Sequence, residues 1–307
     1  MPELPEVETV RRGLNARVVG RRIDAVEVGR ERTVRRTSAV ALVAGLTGTT
    51  IEHFDRRGKY LLGQLDSGDA LMIHLRMSGR LLVAPIGEPR PAHTHVTLTL
   101  AAGGPAASPA EELRFVDPRT FGEVVVYDPD HVATEVPELA RMGVDPVAEV
   151  VTVRQLGDLL GSRRRQLKAL LLDQHVIAGI GNIYCDEALH RARLRWDRSS
   201  DSLSRSEVAR LHTAIHEVLS EAIDAGGSTL ADTQYVDLEG GGGWFQLAHR
   251  VYDRAGQRCL TCGRADIARA VVGGRATAWC PRCQPTRRGR SRPSPSLAAR
   301  STGIRER

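Results

Sequence analysis

The chain has 307 residues, of which 41% are hydrophobic and 26% charged, with a formal net charge of +6; these values suit a globular protein of about two domains. No apolar run approaches the ~18 residues of a bilayer span, and the acidic opening MPELPEVETV is unlike a secretory signal, so a cytoplasmic protein is expected. The excess positive charge lies between Gln284 and Arg307, where seven Arg stand against one Glu, so the rest of the chain is balanced and must place its cations locally to hold a polyanion.

Residues 2–20 carry helix signals. Pro5 suits the first helical position, Glu6 and Glu8 suit the positive end of the helix dipole, and Val7, Val10 and Leu14 repeat at helical spacing. From Ile23 to Tyr127 the pattern is mainly strand-like. His95 to Leu100 alternates with period two, as does part of Leu113 to Val126, and Ala101 to Ala110 reads as the loop between them. Short strands with no intervening helices predict an antiparallel sandwich or barrel. Asp128 to Val150, with three prolines and little periodicity, reads as a linker.

Thr152 to Ala225 is helical in pattern. Leu156, Leu159 and Leu160 mark one helix and Leu167, Leu170 and Leu171 a second; Ala188 to Leu194 and Val208 to Ile223 mark two more. Between the second and third stands Gly179-Ile-Gly-Asn182. The free N–H groups of a helix starting there suit a phosphate, with Asn182 as an added donor, although Gly-x-Gly before a helix is more often a plain connection. Gly240 to Gly243 forms a later loop.

Four cysteines fall as Cys259-x2-Cys262 and Cys280-x2-Cys283, with 17 residues between the pairs. This spacing predicts one tetrahedral zinc, and four thiolates leave no position for substrate, so the metal is expected to be structural. Disulfides or a redox pair fit a cytosolic chain less well. Val271 to Ala278 reads as a hairpin with Arg275 near its tip, and Cys185 as a small buried helix residue. Only two of the 43 basic residues are lysine, Lys59 and Lys168; each stands where Arg does not serve, or by chance.

PELPEVE at the start, RRGKYLL at 56–62, HLRMSG at 74–79, DPRTFG at 117–122, GIGNIY at 179–184 and CPRCQP closing the cysteine segment occur in that order. Together they resemble the bacterial formamidopyrimidine-DNA glycosylases, also called 8-oxoguanine DNA glycosylases, over nearly the whole chain to about Pro285. The resemblance implies removal of Met1, leaving Pro2 a secondary amine. A terminal amine has a pKa near ~8, so a neutral fraction is available to attack the sugar carbon that carries a damaged purine. The Schiff-base adduct would then break the strand by β,δ-elimination.

The same resemblance makes Glu3 the acid/base that protonates the sugar ring oxygen and leaves Glu6 either catalytic or a first-turn dipole partner. It places Lys59 at the lesion and its phosphate, and Arg275 with it in the catalytic set. Arg275, His74 and Asn182 grip the phosphates of the kinked duplex, and Lys168 completes the DNA-binding set. Met77, Arg119 and Phe121 fill the gap left by the flipped nucleotide; without the resemblance Met77 and Phe121 read as core. Arg76 departs from the Gly usual in the family, either to add a phosphate contact or to pair with an acid. Gly240 to Gly243 falls where the family has a mobile cap over the base.

The expected fold class is α+β. A catalytic antiparallel β-sandwich with flanking helices spans 2–130, a linker 131–150, a helix-two-turn-helix domain 151–245, a zinc-finger hairpin 246–285 and a disordered basic tail 286–307. The expected protein is a monomeric bifunctional glycosylase and lyase, associated with the nucleoid, that acts on double-stranded DNA containing oxidised bases and holds one structural Zn2+ and no small-molecule cofactor. Two rivals remain. An endonuclease VIII type for oxidised pyrimidines typically opens Glu-Gly-Pro, against Leu4 here. A noncatalytic zinc-containing DNA-binding protein would not require Pro2-Glu3.

Overall fold

The computed structural model describes residues 2–230 and 235–286; the tail expected at 286–307 lies, apart from Thr286, outside the described residues. Helix α1 (Leu4–Arg17) starts with a capping box. The Glu3 amide donates to Glu6 Oε2 at 2.7 Å, so the first turn satisfies its own end. Val7, Val10 and Leu14 are buried, as their spacing predicts.

Eight strands follow: β1 (Ile23–Val28), β2 (Ile51–Arg57), β3 (Tyr60–Leu65), β4 (Ala70–His74), β5 (Arg80–Pro85), β6 (Thr94–Leu100), β7 (Glu111–Val116) and β8 (Glu123–Tyr127). They form two four-stranded sheets, ordered β1-β6-β7-β5 and β2-β3-β4-β8, with antiparallel pairing throughout. Leu61, Leu71 and Ile73 of one sheet share a core with Leu98, Leu113 and Phe115 of the other and with α1, which is sandwich packing. The expectation of no intervening helix is corrected: α2 (Ala39–Leu46) lies between β1 and β2, with Ser38 as its N-cap. Its sequence, AVALVAGL, is a short apolar run whose period does not separate helix from strand.

The stretch expected as a linker holds two short helices, α3 (Val132–Glu135) and α4 (Pro137–Ala140). Val136 and Leu139 pack on Tyr60, Met72 and Tyr127 at the back of the second sheet. Next come α5 (Val153–Gly161), α6 (Leu167–Leu171), α7 (Asn182–Arg191) and α8 (Arg205–Asp224). The third helix starts at Asn182, where the Gly179-Ile-Gly-Asn182 turn places it, and ends at Arg191, so Leu194 lies beyond its end. A hairpin, β9 (Ala268–Val272) and β10 (Arg275–Trp279), closes the described chain. Gly273 and Gly274 both have positive φ, at 55° and 76°, as its two-residue turn requires.

The two main cores are laced together. Leu4 packs into the helical core, while Tyr235 and Leu238 return to the sandwich core. Among the described residues no helix is long and apolar enough to cross a membrane.

Candidate active site

The N-terminal segment is seated on the turn before α7. Leu4 N–H donates to the Gly179 carbonyl at 3.1 Å. The Glu3 carboxylate accepts the Ile183 amide at 3.0 Å, at the first turn of α7. A side chain at Gly179 (φ +90°) would meet Leu4 at 2.5 Å, and one at Gly181 would fall 2.2 Å from the Glu3 carboxyl carbon. The two glycines thus admit the chain's own N-terminus. Glu3 therefore takes the Ile183 N–H, one of the donors at this helix end. Asn182 gives its amide to the Ala276 carbonyl at 2.9 Å.

Pro2, Glu3 and Glu6 are buried. Glu6 takes three donors: the Glu3 amide at 2.7 Å, the Ser228 amide at 2.7 Å and the Tyr184 hydroxyl. Burial, and then the neighbouring Glu3, raise its pKa above the ordinary value.

Lys59 enters from the β2–β3 turn, and its Nζ donates to the Ile180 carbonyl at 3.2 Å. Burial lowers its pKa; Glu3 opposes the shift and Arg275 adds to it. The turn is fixed from behind by Asp145. This carboxylate accepts Gly58 N–H at 2.8 Å and the Arg56 guanidinium at 2.6 Å, while Arg56 also pairs with Glu8 at 3.0 Å.

His74 ends β4. Its Nδ1 accepts the Arg76 amide at 2.9 Å, so a neutral ring carries its proton on Nε2. Burial, and then Arg76 and Lys59, hold its pKa well below the ordinary value; the ring is a neutral donor, not a cation. Arg76 has φ +52°, a left-handed conformation that favours Gly, and its guanidinium pairs with Glu123 at 2.8 Å. Of the two readings of Arg76, the acid pair is the one observed.

Met77 and Phe121 are 38% and 39% exposed, unlike the core residues they resemble in sequence alone. Arg119 stacks its guanidinium 5.2 Å from the Phe121 ring centre. Asp117 steadies their loop by accepting Gly122 N–H at 2.7 Å.

Lys168 is 1% exposed. Its ammonium lies 2.6 Å from Asp186 and donates to the Ala276 carbonyl at 3.1 Å. Expected among the DNA-contacting residues, Lys168 is placed here in the interior, with Asp186 and the Ala276 carbonyl as its partners. The pair instead fastens α6 and α7 to the hairpin, with Asp186 also accepting Ala278 N–H at 2.9 Å. Arg275, by contrast, is exposed beside the hairpin turn.

Sequence reasoning passed over Asp145, Asp186, Glu187 and Tyr184. Glu187 accepts the amides of Arg250, Val251 and Tyr252 at 2.9, 2.9 and 2.8 Å, holding the start of the cysteine segment. The available signal was two adjacent acids, Asp186-Glu187, in the middle of an otherwise buried helix.

The four thiol sulfurs lie within 4.8 Å of one another, with Cys259–Cys283 at 3.9 Å and Cys262–Cys280 at 3.7 Å. Tetrahedral zinc with Zn–S bonds of about 2.3 Å needs sulfurs about 3.8 Å apart. The four cysteines fit one structural zinc.

Comparison with known proteins agrees along the chain. The formamidopyrimidine-DNA glycosylase N-terminal domain matches residues 1–124, the formamidopyrimidine-DNA glycosylase H2TH domain 142–234, and the zinc finger found in FPG and IleRS 256–286. The formamidopyrimidine-DNA glycosylase of Salinispora arenicola is 45% identical, covering 93% of this chain and 96% of its own. That of Symbiobacterium thermophilum is 43% identical, over 94% and 91%. Among solved structures, a complex of Lactococcus lactis Fpg with abasic-site DNA superposes with a TM-score of 0.82 at 36% identity, over 92% of this chain and all of that one. The G226P mutant of the same protein with Fapy-dG DNA gives 0.83 at 35%, over 93% and 100%.

Proposed function

The chain belongs to the formamidopyrimidine-DNA glycosylase family, and from that premise we propose that it excises oxidised purines from duplex DNA and then cuts the strand, with Pro2 as nucleophile. The observation that carries this is the seating of the N-terminus: Glu3 is held on α7 by the Ile183 amide at 3.0 Å, next to the residue whose nitrogen must react. Once Met1 is removed, the Pro2 amine forms a bond to C1′ while the bond from C1′ to the base breaks. Glu3 supplies the proton that opens the ring at O4′. The resulting iminium acidifies the C2′ proton, and its loss starts β,δ-elimination.

Lys59 and Arg275 bring cationic character to the lesion phosphate, His74 a neutral N–H, and Asn182 holds the hairpin carbonyl beside them. Met77, Arg119 and Phe121 occupy the space vacated by the flipped nucleotide, a role supported by the exposure of Met77 and Phe121. The zinc holds the hairpin that carries Arg275 and takes no part in bond making. The domain limits 2–130, 131–150, 151–245 and 246–285 belong to the same proposal, as does action as a monomer.

The test is base release from matched duplexes, one carrying 8-oxoguanine opposite cytosine and one an oxidised pyrimidine. Release from the first is expected. Release from the second alone would assign the endonuclease VIII type, and binding without release the noncatalytic reading.

A further inference from the structure

Behind Glu6 a line of polar side chains crosses an otherwise apolar interior. The Tyr184 hydroxyl meets Glu6 Oε1. Tyr184 Oη lies 3.2 Å from Ser228 Oγ, and Ser228 Oγ lies 3.2 Å from His249 Nε2. All four residues are buried, and they come from α1, α7, the exit of α8 and the segment leading to the cysteines. The ring of His249 otherwise packs on those of Phe245 and Tyr252. The ionisable groups facing the line are Glu3 and Lys59 at the Glu6 end, Tyr235, which donates to the Glu6 carbonyl at 3.3 Å, and Tyr252 at the far end.

Counting protons fixes the direction of each bond. With Glu6 ionised, Tyr184 spends its single proton on the carboxylate. Ser228 must then donate to Tyr184, and His249 to Ser228 through Nε2–H. With Glu6 protonated and donating to Tyr184, every bond reverses, and Ser228 donates to a bare Nε2. A neutral imidazole serves both arrangements by carrying its proton on Nε2 or on Nδ1. An apolar side chain at 249 serves neither, and an ammonium only the first. Burial holds His249 at about 4, so the ring is neutral at physiological pH.

We propose that His249 is a positioning residue: as the reversible end of this chain, it lets Glu6 gain and lose a proton beside Glu3 without leaving a buried hydroxyl unpaired. The two hydroxyls only turn, the imidazole proton changes nitrogen through solvent, and no other bond is made or broken. The use of that proton in catalysis rests on the function proposed above, whereas the coupling itself is readable without DNA.

The test is 15N NMR of the full-length, zinc-loaded protein labelled at histidine, with His249 assigned by its absence from His249→Gln. As pH rises through the Glu6 titration, His249 is expected to switch from the Nδ1–H to the Nε2–H tautomer, and to keep one tautomer throughout in Glu6→Gln. A single tautomer at every pH in the unaltered protein, or a switch that survives Glu6→Gln, overturns the proposal. In single-turnover base release, His249→Leu is expected to lower the rate about tenfold and shift its pH profile with KM unchanged, and His249→Gln, which both donates and accepts, to restore most of it. A Leu variant with the original profile contradicts the coupling. Loss of excision in every variant and in the unaltered protein, with the tautomer switch intact, would sink the proposed function and not the chain.

Discussion

The carboxylate of Glu3 caps the helix that begins at Asn182, taking the Ile183 amide at 3.0 Å. The residue next to the proposed nucleophile is thereby fixed by an element 180 positions away in sequence. Such a group is held in place before substrate arrives, which is what a general acid needs.

Glu3→Gln keeps an oxygen for the Ile183 amide and removes the proton donor. Base excision is expected to fall by at least about 10²-fold, with thermal stability nearly unchanged. Excision within a few-fold of the original would remove Glu3 from the acid role.

Met77→Ala and Phe121→Ala act on exposed side chains. Each is expected to leave stability within about 0.5 kcal/mol while lowering excision from duplex DNA well beyond that from single strands, where no partner base must be held apart. Equal losses on both substrates would contradict the wedge.

Lys168 and Arg275 should separate cleanly. Lys168→Met strands Asp186 in the interior, and a loss of about 3–5 kcal/mol in unfolding free energy is expected. Arg275→Ala should leave stability alone and reduce the salt dependence of DNA binding by about one phosphate contact. The reverse pattern, in denaturant melts and salt titrations, would return Lys168 to the DNA surface.

The acid side of stability depends on Glu8. Burial opposes its ionisation, but hydrogen bonds from Arg11 and Arg56 outweigh this and bring its pKa from 4.5 to about 2. A depressed carboxyl contributes stability present above 4.5 that is lost as pH falls toward 2. Glu8→Gln should therefore be less stable than the original at neutral pH, and the gap should close over that window. A gap independent of pH would show that packing, not charge, is what Glu8 supplies.

Much of this was legible in the chain because it is local. The capping signals of α1, the alternation of β6 and the two Cys-x2-Cys pairs each need only their neighbours. The ion pair of Lys168 was not legible because its partner, Asp186, is brought to it only when α6 packs against α7. Arg76 was ambiguous because its φ of +52° and its partner Glu123 are set by the β4–β5 connection and a different strand. The glycines at 179 and 181 suggested an anion site; what they admit is the first residues of the same chain, a contact no spacing rule contains.

The most direct test of the central claim is borohydride trapping on a duplex containing 8-oxoguanine, with the mass of the purified protein first confirming that Met1 is gone. The account predicts a covalent protein–DNA adduct whose mass fits one reduced linkage at Pro2, lost when the terminal amine is blocked. Damaged duplex left intact and unattached by a processed, zinc-loaded sample would contradict it.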